Sequence, residues 1–220
     1  MNAPHAVVFT GGDAPHSRAF ASVLPHSIVI AADSGWEHAV TSGITPHVLV
    51  GDMDSISPLH LAEARAAGVE IIEHPTSKDD TDTELALAEA VCRGAEAITV
   101  IAGGGDRPDH VFAMLHSLAA PTLGHVQING HLGASRFVVI GTDRPTSLPA
   151  DPGDTVSLLP VGGDATVTAT GLQWPLDHSV LHAHASRGVS NIATAGARVT
   201  VHAGTVIAFI TPSTAEGTPS

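Results

Sequence analysis

From residue 5 to about 128, apolar runs rich in Val and Ile alternate with Ala/Leu-rich stretches at helical spacing. That alternation is the pattern of βαβ units around a parallel sheet. The predicted strands are AVVFT, SIVIAAD, VLVGD, VEIIEH, AITVIAG and HVQING, and helices are expected between them at PHSRAFASVL, GWEHAVTSG, PLHLAEARAAG, DTELALAEAVCRG and DHVFAMLHSLA. Several of the intervening gaps close with Gly or Pro, as helix termini usually do. After about residue 133 the pattern changes to short β-branched segments punctuated by Pro, Gly and Asp: RFVVIG, DTVSLLPV, ATVTAT, SVLHAHA, ARVTVHAG and TVIAFIT. No helix-length apolar period survives there. The chain therefore reads as a Rossmann-like α/β parallel-sheet domain over residues 1–133, followed by an antiparallel β-sandwich domain over 134–220.

Charge limits what such a chain can bind. Nine Lys and Arg against 22 Asp and Glu leave a net charge of −13. A surface this acidic repels nucleic acid and anionic lipid, so neither is expected as a partner, and a phosphate-bearing substrate would need a metal intermediary. With no Tyr and two Trp, stacking on single-stranded nucleic acid is poorly supplied. The N-terminal MNAPHAVVFTGGD lacks a basic segment and a long apolar run, so a cytoplasmic location is expected. The single cysteine, Cys92, has no intrachain partner and reads as a small hydrophobe on a helix face.

In an open parallel sheet, ligands collect at the carboxyl ends of the strands. Asp33, Asp52 and Asp54 all fall at such ends. In extended backbone, residues two apart point to the same side, so Asp52 and Asp54 can present four oxygens to one hard cation. Gly51 before them allows a sharp turn or a close approach. The competing reading is an Asp-rich turn with helix-capping duty. In SKDDTDTELALAEA, Thr81 and Glu84 have capping-box spacing, placing Asp82 in the first helical turn and Asp79 in the loop before it. Helix-dipole stabilisation explains part of that charge, but three aspartates and one lysine within five residues exceed what a cap needs. Lys78 is a candidate for a phosphate oxygen, or a solvated loop charge.

In IAGGGDRPDHVFAML, three glycines follow a strand and precede a helix, so backbone N–H groups are available to an anion. The stretch matches neither a Walker A loop nor the dinucleotide fingerprint. Arg107 lies between two carboxylates and is either a phosphate contact or an Arg–Asp pair. Asp109 is a metal ligand or an N-cap, and His110 can orient a neighbour. The alternation LHAHA would place His182 and His184 on one strand face, a metal-compatible spacing that lacks a nearby third ligand.

Taken together, AADSG, VGDMDSIS, SKDDTDTELALA, GGGDRPDH, GLQWPL and RGVSN resemble in order and spacing the thiamine pyrophosphokinase family, over nearly the whole chain. K-D-x-T-D together with G-D-x-D-S carries most of that specificity. The resemblance implies a homodimer with its active site at the subunit interface. It implies transfer of the β,γ-pyrophosphoryl group of ATP to thiamine, yielding thiamine pyrophosphate and AMP. It assigns Mg²⁺ to Asp52, Asp54 and Asp82, and the nucleotide and reaction centre to Asp33, Lys78, Asp79, Thr81, Arg107, Asp109 and His110. Thiamine falls to Trp174, Ser190 and Asn191. Three positions depart from the family patterns: Ser34 replaces a glycine and restricts its turn, Asp106 replaces another, and Ile192 replaces a glutamate. The last motivates a different acceptor, such as a pterin. A non-catalytic nucleotide or thiamine sensor is the alternative from another class. A D-x-D glycosyltransferase would leave KDDTD unexplained.

Overall fold

The structure is a computed structural model that describes residues 4–77, 79–105, 107–142 and 144–213. The chain divides into two compact units, Met1–Gly133 and Ala134–Ser220.

In the first unit, β1 (His5–Phe9), β2 (Ile28–Ala32), β3 (Val48–Gly51), β4 (Glu70–Glu73), β5 (Ala97–Ala102) and β6 (Gln127–Leu132) are parallel, in the order β4, β3, β2, β1, β5, β6. Helices α1 (Gly35–Thr41), α2 (Pro58–Ala66), α3 (Asp82–Cys92) and α4 (Pro108–Ser117) connect them. The central strands are buried almost throughout, as expected of a sheet covered on both faces. Val7, Phe9, Val29 and Ile101 pack with Ala39 of α1, while Ala31 and Leu49 pack with Trp36 and with Ala64 of α2. The connection from β4 to β5 runs back past β1, and α3, which it carries, lies against β1, β2 and β3. A right-handed crossover in that reversed direction places α3 on the opposite face. The reversal makes β1 and β5 the topological switch point, where a crevice opens at the strand ends.

β4 lies at the sheet edge with its two glutamates exposed, and charge is a usual guard on an unpaired strand. Cys92 is the last residue of α3 and is exposed rather than packed. The helix expected at PHSRAFASVL is a 3-10 turn, Ser17–Ser22. Pro15 and Pro25 bracket it too closely for α-helix nucleation to be recovered.

The capping box at the start of α3 is present as its spacing predicts. The Thr81 hydroxyl accepts from Glu84 N–H at 3.3 Å, and Glu84 Oε2 accepts from Thr81 N–H at 2.8 Å. Burial raises the Glu84 pKa, but the hydrogen bonds from Thr81 and Ser117 outweigh it and hold the carboxylate below its usual range. The depressed value contributes stability above the unfolded pKa, which is lost as pH falls through the folded one. Thr81→Ala is expected to cost about 1 kcal/mol in urea denaturation at pH 7. The difference should narrow as acid protonates Glu84; a gap constant with pH would separate the cap from the carboxylate.

The second unit holds antiparallel strands and, among its described residues, no helix. β7 (Ser135–Ile140), β8 (Thr146–Ser147), β9 (Thr155–Pro160), β10 (Ala165–Leu172), β11 (Leu176–Leu181), β12 (Asn191–Ala203) and β13 (Val206–Thr211) run in the order β7, β13, β9, β12, β10, β11, with β8 on β12. β12 serves two sheets: Asn191 and Ile192 pair with β9, and residues further on pair with β10. At the corner the register shifts and both Gly171 and Gly196 take positive φ. A Cβ on Gly171 would lie 2.6 Å from the Gly196 carbonyl oxygen, so glycine permits the strand to change sheets. Val156, Leu158, Val167, Ala169, Val199, Val201 and Ala208 fill the space between the sheets. This is the sandwich core that the alternating pattern predicts.

The expected placement of His182 and His184 on a strand face is corrected. β11 ends at Leu181 because Asp164 accepts from Ala183 N–H at 2.9 Å and pairs with His182 Nδ1 at 2.7 Å, turning the chain. No helix among the described residues is long and apolar enough to cross a membrane.

Candidate active site

A cleft of about 510 Å³ lies at the carboxyl ends of the parallel strands. The loop after β1 supplies Thr10, Gly11 and Gly12, β2 leads to Asp33, β3 leads to Asp52 and Asp54, and the loop after β5 supplies Gly104 and Gly105. Asp80, Thr81 and Asp82 enter from the start of α3, and Arg107 and His110 from the start of α4.

Three carboxylates converge. One oxygen each from Asp33, Asp52 and Asp82 lies within 4.8 Å of the others. Gly51 makes this approach possible: its φ is 153°, and a Cβ there would stand 3.1 Å from Asp82 Oδ1 and 3.2 Å from the Asp33 Cβ. Asp33 is 4% exposed and adopts φ 45°, a left-handed conformation that Asp tolerates better than most residues. Its Oδ2 accepts from Ser55 N–H at 3.2 Å, while Oδ1 is buried with no hydrogen-bond partner among the described residues. Burial, opposed by the Ser55 bond and reinforced by Asp82, Asp54 and Asp52, pushes the Asp33 pKa up to about 6. A buried orphan oxygen beside two further carboxylates is a donor set suited to a hard divalent cation. Asp33, Asp52 and Asp82 are the residues that would hold such a cation.

Asp54, expected in the metal set, is not in this group. Met53 adopts φ 62°, so the backbone between Asp52 and Asp54 is not extended and the same-side argument fails. Asp54 N–H donates to Asp52 Oδ1 at 3.2 Å, and the Asp54 carboxylate accepts from the Ser55 hydroxyl at 2.9 Å. It still lines the cleft. Asp33 takes its place in the cluster.

Asp109 is neither the N-cap of α4, a position held by Arg107, nor part of the carboxylate group. It grips the guanidinium with two bonds, from Nε at 3.0 Å and from Nη2 at 2.6 Å. Those bonds hold the Asp109 carboxyl well below the usual range, at about 2. The Arg–Asp pair is thus formed, and it orients a cation whose residue lines the cleft. Asp79 is exposed in the bend before α3 and does not line the cleft, whereas Asp80 does. Lys78 and Asp106 lie outside the described residues.

The restriction expected at Ser34 is not felt there: Ser34 takes φ −62°, and the left-handed turn falls on Asp33 instead. The glycine this turn requires is Gly35, where a Cβ would meet the Phe9 carbonyl oxygen at 2.3 Å. The glycines after β5 are also packed against something: Cβ atoms on Gly103 and Gly105 would collide with the backbone and carboxylate of Asp13. The Thr10–Gly12 wall was not anticipated. Its signal is the Gly-Gly pair directly after the first strand, held by His38, whose Nε2 donates to the Gly12 carbonyl at 2.9 Å.

The thiamine candidates lie in the second unit. Trp174 is 56% exposed, in contrast to the buried Trp36. Ser190 takes φ 60°, and its N–H donates to the Ser157 hydroxyl at 3.1 Å. Asn191 is buried at the start of β12, with its side chain bonded to the backbone of Trp174.

A carboxylate-lined cleft at a switch point is what kinase-type enzymes built on open α/β sheets present to a metal-bound polyphosphate. Comparison with known proteins narrows the class. Residues 21–128 match the family model for the thiamin pyrophosphokinase catalytic domain, and residues 145–206 match that for the thiamin pyrophosphokinase vitamin B1 binding domain. A thiamine pyrophosphokinase of Bacillus subtilis is 23% identical over 168 residues, covering 76% of this chain and 78% of that one. The fold is shared with solved thiamin pyrophosphokinases. That of Geobacillus thermodenitrificans has a TM-score of 0.78 at 20% identity, covering 96% of this chain and 99% of its own. That of Candida albicans has a TM-score of 0.75 at 15% identity, covering 94% and 88%. The chain belongs to the thiamine pyrophosphokinase family.

Proposed function

We propose that this protein transfers the pyrophosphoryl group of ATP to the hydroxyl of thiamine, giving thiamine pyrophosphate and AMP, with Mg²⁺ held by Asp33, Asp52 and Asp82. Two observations carry the metal assignment: one oxygen each from Asp33, Asp52 and Asp82 lies within 4.8 Å of the others, and Asp33 Oδ1 is buried with no hydrogen-bond partner among the described residues. In the reaction the thiamine oxygen bonds to the β-phosphorus, the bond from that phosphorus to the α,β-bridging oxygen breaks, and AMP leaves with the bridging oxygen. The hydroxyl proton passes to solvent.

When bound, Mg²⁺ supplies charge neutralisation for the phosphates. The chain's own residues do the rest by placement. Arg107, oriented by Asp109, faces the polyphosphate from the α4 side, and Gly104 and Gly105 allow its close approach. Lys78, Thr81 and His110 complete the nucleotide side in this reading. Asp54 and Asp80 add negative charge to the cleft, which suits a cationic thiazolium ring. Trp174 and Ser190 serve thiamine in a cytoplasmic homodimer whose sites are completed across subunits.

The test is to incubate the purified protein with ATP, Mg²⁺ and thiamine and to quantify AMP and thiamine pyrophosphate against a thiamine-free control. Equimolar, thiamine-dependent products are expected. AMP without thiamine pyrophosphate would redirect the assignment to another hydroxylated heterocycle, such as a pterin. Nucleotide binding without turnover would identify a sensor.

A further inference from the structure

Asn191 differs from the other residues on the thiamine side in having its amide committed elsewhere. It is 9% exposed. Its Oδ1 accepts from Trp174 N–H at 3.1 Å and from Ile192 N–H at 2.9 Å, while its Nδ2 donates to the Trp174 carbonyl at 2.6 Å. One side chain thus satisfies both backbone groups of a single residue 17 positions away. The amide orientation follows from its partners, since only the oxygen can face two N–H groups and only the nitrogen can face a carbonyl. The residues around it fix the same turn: Gln173 N–H donates to the Ile192 carbonyl at 2.8 Å, and Leu172 pairs with Ala193. Gly171, at φ 67°, makes the bend that delivers the chain to Trp174.

The indole so anchored is the exposed one of the two tryptophans in the chain. A large apolar ring left in solvent on a backbone clamped at both polar groups is preorganised for a planar ligand, because the cost of ordering the turn is met in folding rather than in binding. We infer that Asn191 is a positioning residue that acts on the thiamine step solely through Trp174, by locking the backbone that presents the indole. This inference rests on the proposed function, in which Trp174 faces the thiazolium or pyrimidine ring. It replaces the expectation that Asn191 serves mainly as a substrate contact, because Oδ1 already accepts two backbone bonds and Nδ2 donates one to the Trp174 carbonyl, which leaves at most one N–H for any other partner.

Two measurements test it, and the first needs no turnover. With 5-fluorotryptophan incorporated, the chain gives two ¹⁹F resonances, assigned by loss of one in Trp174→Ala. In Asn191→Ala the Trp174 signal is expected to narrow and move toward the free amino acid value, with the Trp36 signal unchanged. An unmoved Trp174 signal would overturn the clamp whatever the enzyme does. Should Asn191→Ala fail to fold, Asn191→Asp keeps the shape and the acceptor but opposes a carboxylate to the Trp174 carbonyl, and is expected to release the same signal.

The second measurement is a double-mutant cycle on steady-state constants. Asn191→Ala is expected to raise the KM for thiamine about tenfold while leaving the KM for ATP and kcat within about twofold. In a Trp174→Ala background the same substitution is expected to change the thiamine KM by less than about twofold, because the group it acts through is gone. Additive effects would show direct contact between Asn191 and substrate and overturn the inference. Equal rises for both substrates would show a loss of fold rather than of positioning, and would overturn it as well. Absence of turnover in the unsubstituted protein would count against the proposed function alone, leaving the ¹⁹F result to decide the clamp.

Discussion

Asp33→Asn is expected to abolish turnover, by roughly 10³-fold or more, while making the metal-free protein more stable at pH 7.5. The two effects have one cause. Asp33 is nearly inaccessible, sits among Asp52, Asp54 and Asp82, and has its pKa raised to about 6. For a carboxyl whose folded pKa exceeds its unfolded value, the folded state binds the extra proton between the two values. Stability is therefore gained as pH falls from above 6 toward 4, and the cost is fully present at higher pH. The amide isostere removes that cost, on the order of 2 kcal/mol, corresponding to about 5 °C in Tm. It also suits a backbone at φ 45°, where Asn is well tolerated. Thermal denaturation of both proteins between pH 5 and 8 in the presence of chelator checks this. The unsubstituted protein should lose stability relative to the variant as pH rises through 6, and parallel curves would remove Asp33 as the source. Asp54→Asn, outside the converging group, is expected to reduce turnover less than Asp33→Asn or Asp52→Asn.

Gly51→Ala is expected to be nearly as damaging without changing any charge. The added methyl would stand 3.1 Å from Asp82 Oδ1 and 3.2 Å from the Asp33 Cβ, so the carboxylates must spread by a few tenths of an ångström. The backbone at φ 153° resists a side chain as well, at a cost of about 1–3 kcal/mol. Small displacements of a positioning group can cost roughly 10²-fold in rate. Thiamine-dependent AMP release should fall by about that factor and shift toward higher Mg²⁺ requirement, with a lowered urea midpoint. Unchanged Mg²⁺ dependence would show that the cluster tolerates expansion.

These two residues also mark how far the sequence is legible. The βαβ alternation, the change to short β segments and the capping box at Thr81 follow from local periodicity, and each is present in the structure. The placement of acids at strand ends likewise points to the cleft. Which acids converge is not a local property: a left-handed Met53 breaks the two-residue parity, so Asp33 rather than Asp54 joins Asp52 and Asp82. Arg107 and Asp109 differ in this respect. For Arg107 the Arg–Asp pair, one of the two readings of its sequence, is formed, whereas Asp109 is neither the N-cap of α4 nor a member of the carboxylate group. Asn191 is named in the sequence as a substrate residue, but its bonds to the Trp174 backbone are not legible there, because Trp174 is 17 residues away across a corner that two glycines permit. The loop after β1 could have been found, since a Gly-Gly pair at the end of the first strand of a parallel sheet commonly borders a ligand.

Cys92 closes the helix that Asp82 opens, ten residues and about 15 Å along the axis. It is the chain's single thiol and it is exposed. A nitroxide attached there would report on a paramagnetic ion at the carboxylate end of α3 without altering any residue of the cleft. With Mn²⁺ added as a probe, dipolar relaxation of the label would count ions as they arrive, and its magnitude would give their distance along a rigid helical rod. The native sequence thus carries a spectroscopic gauge for the metal binding proposed at the carboxylate cluster.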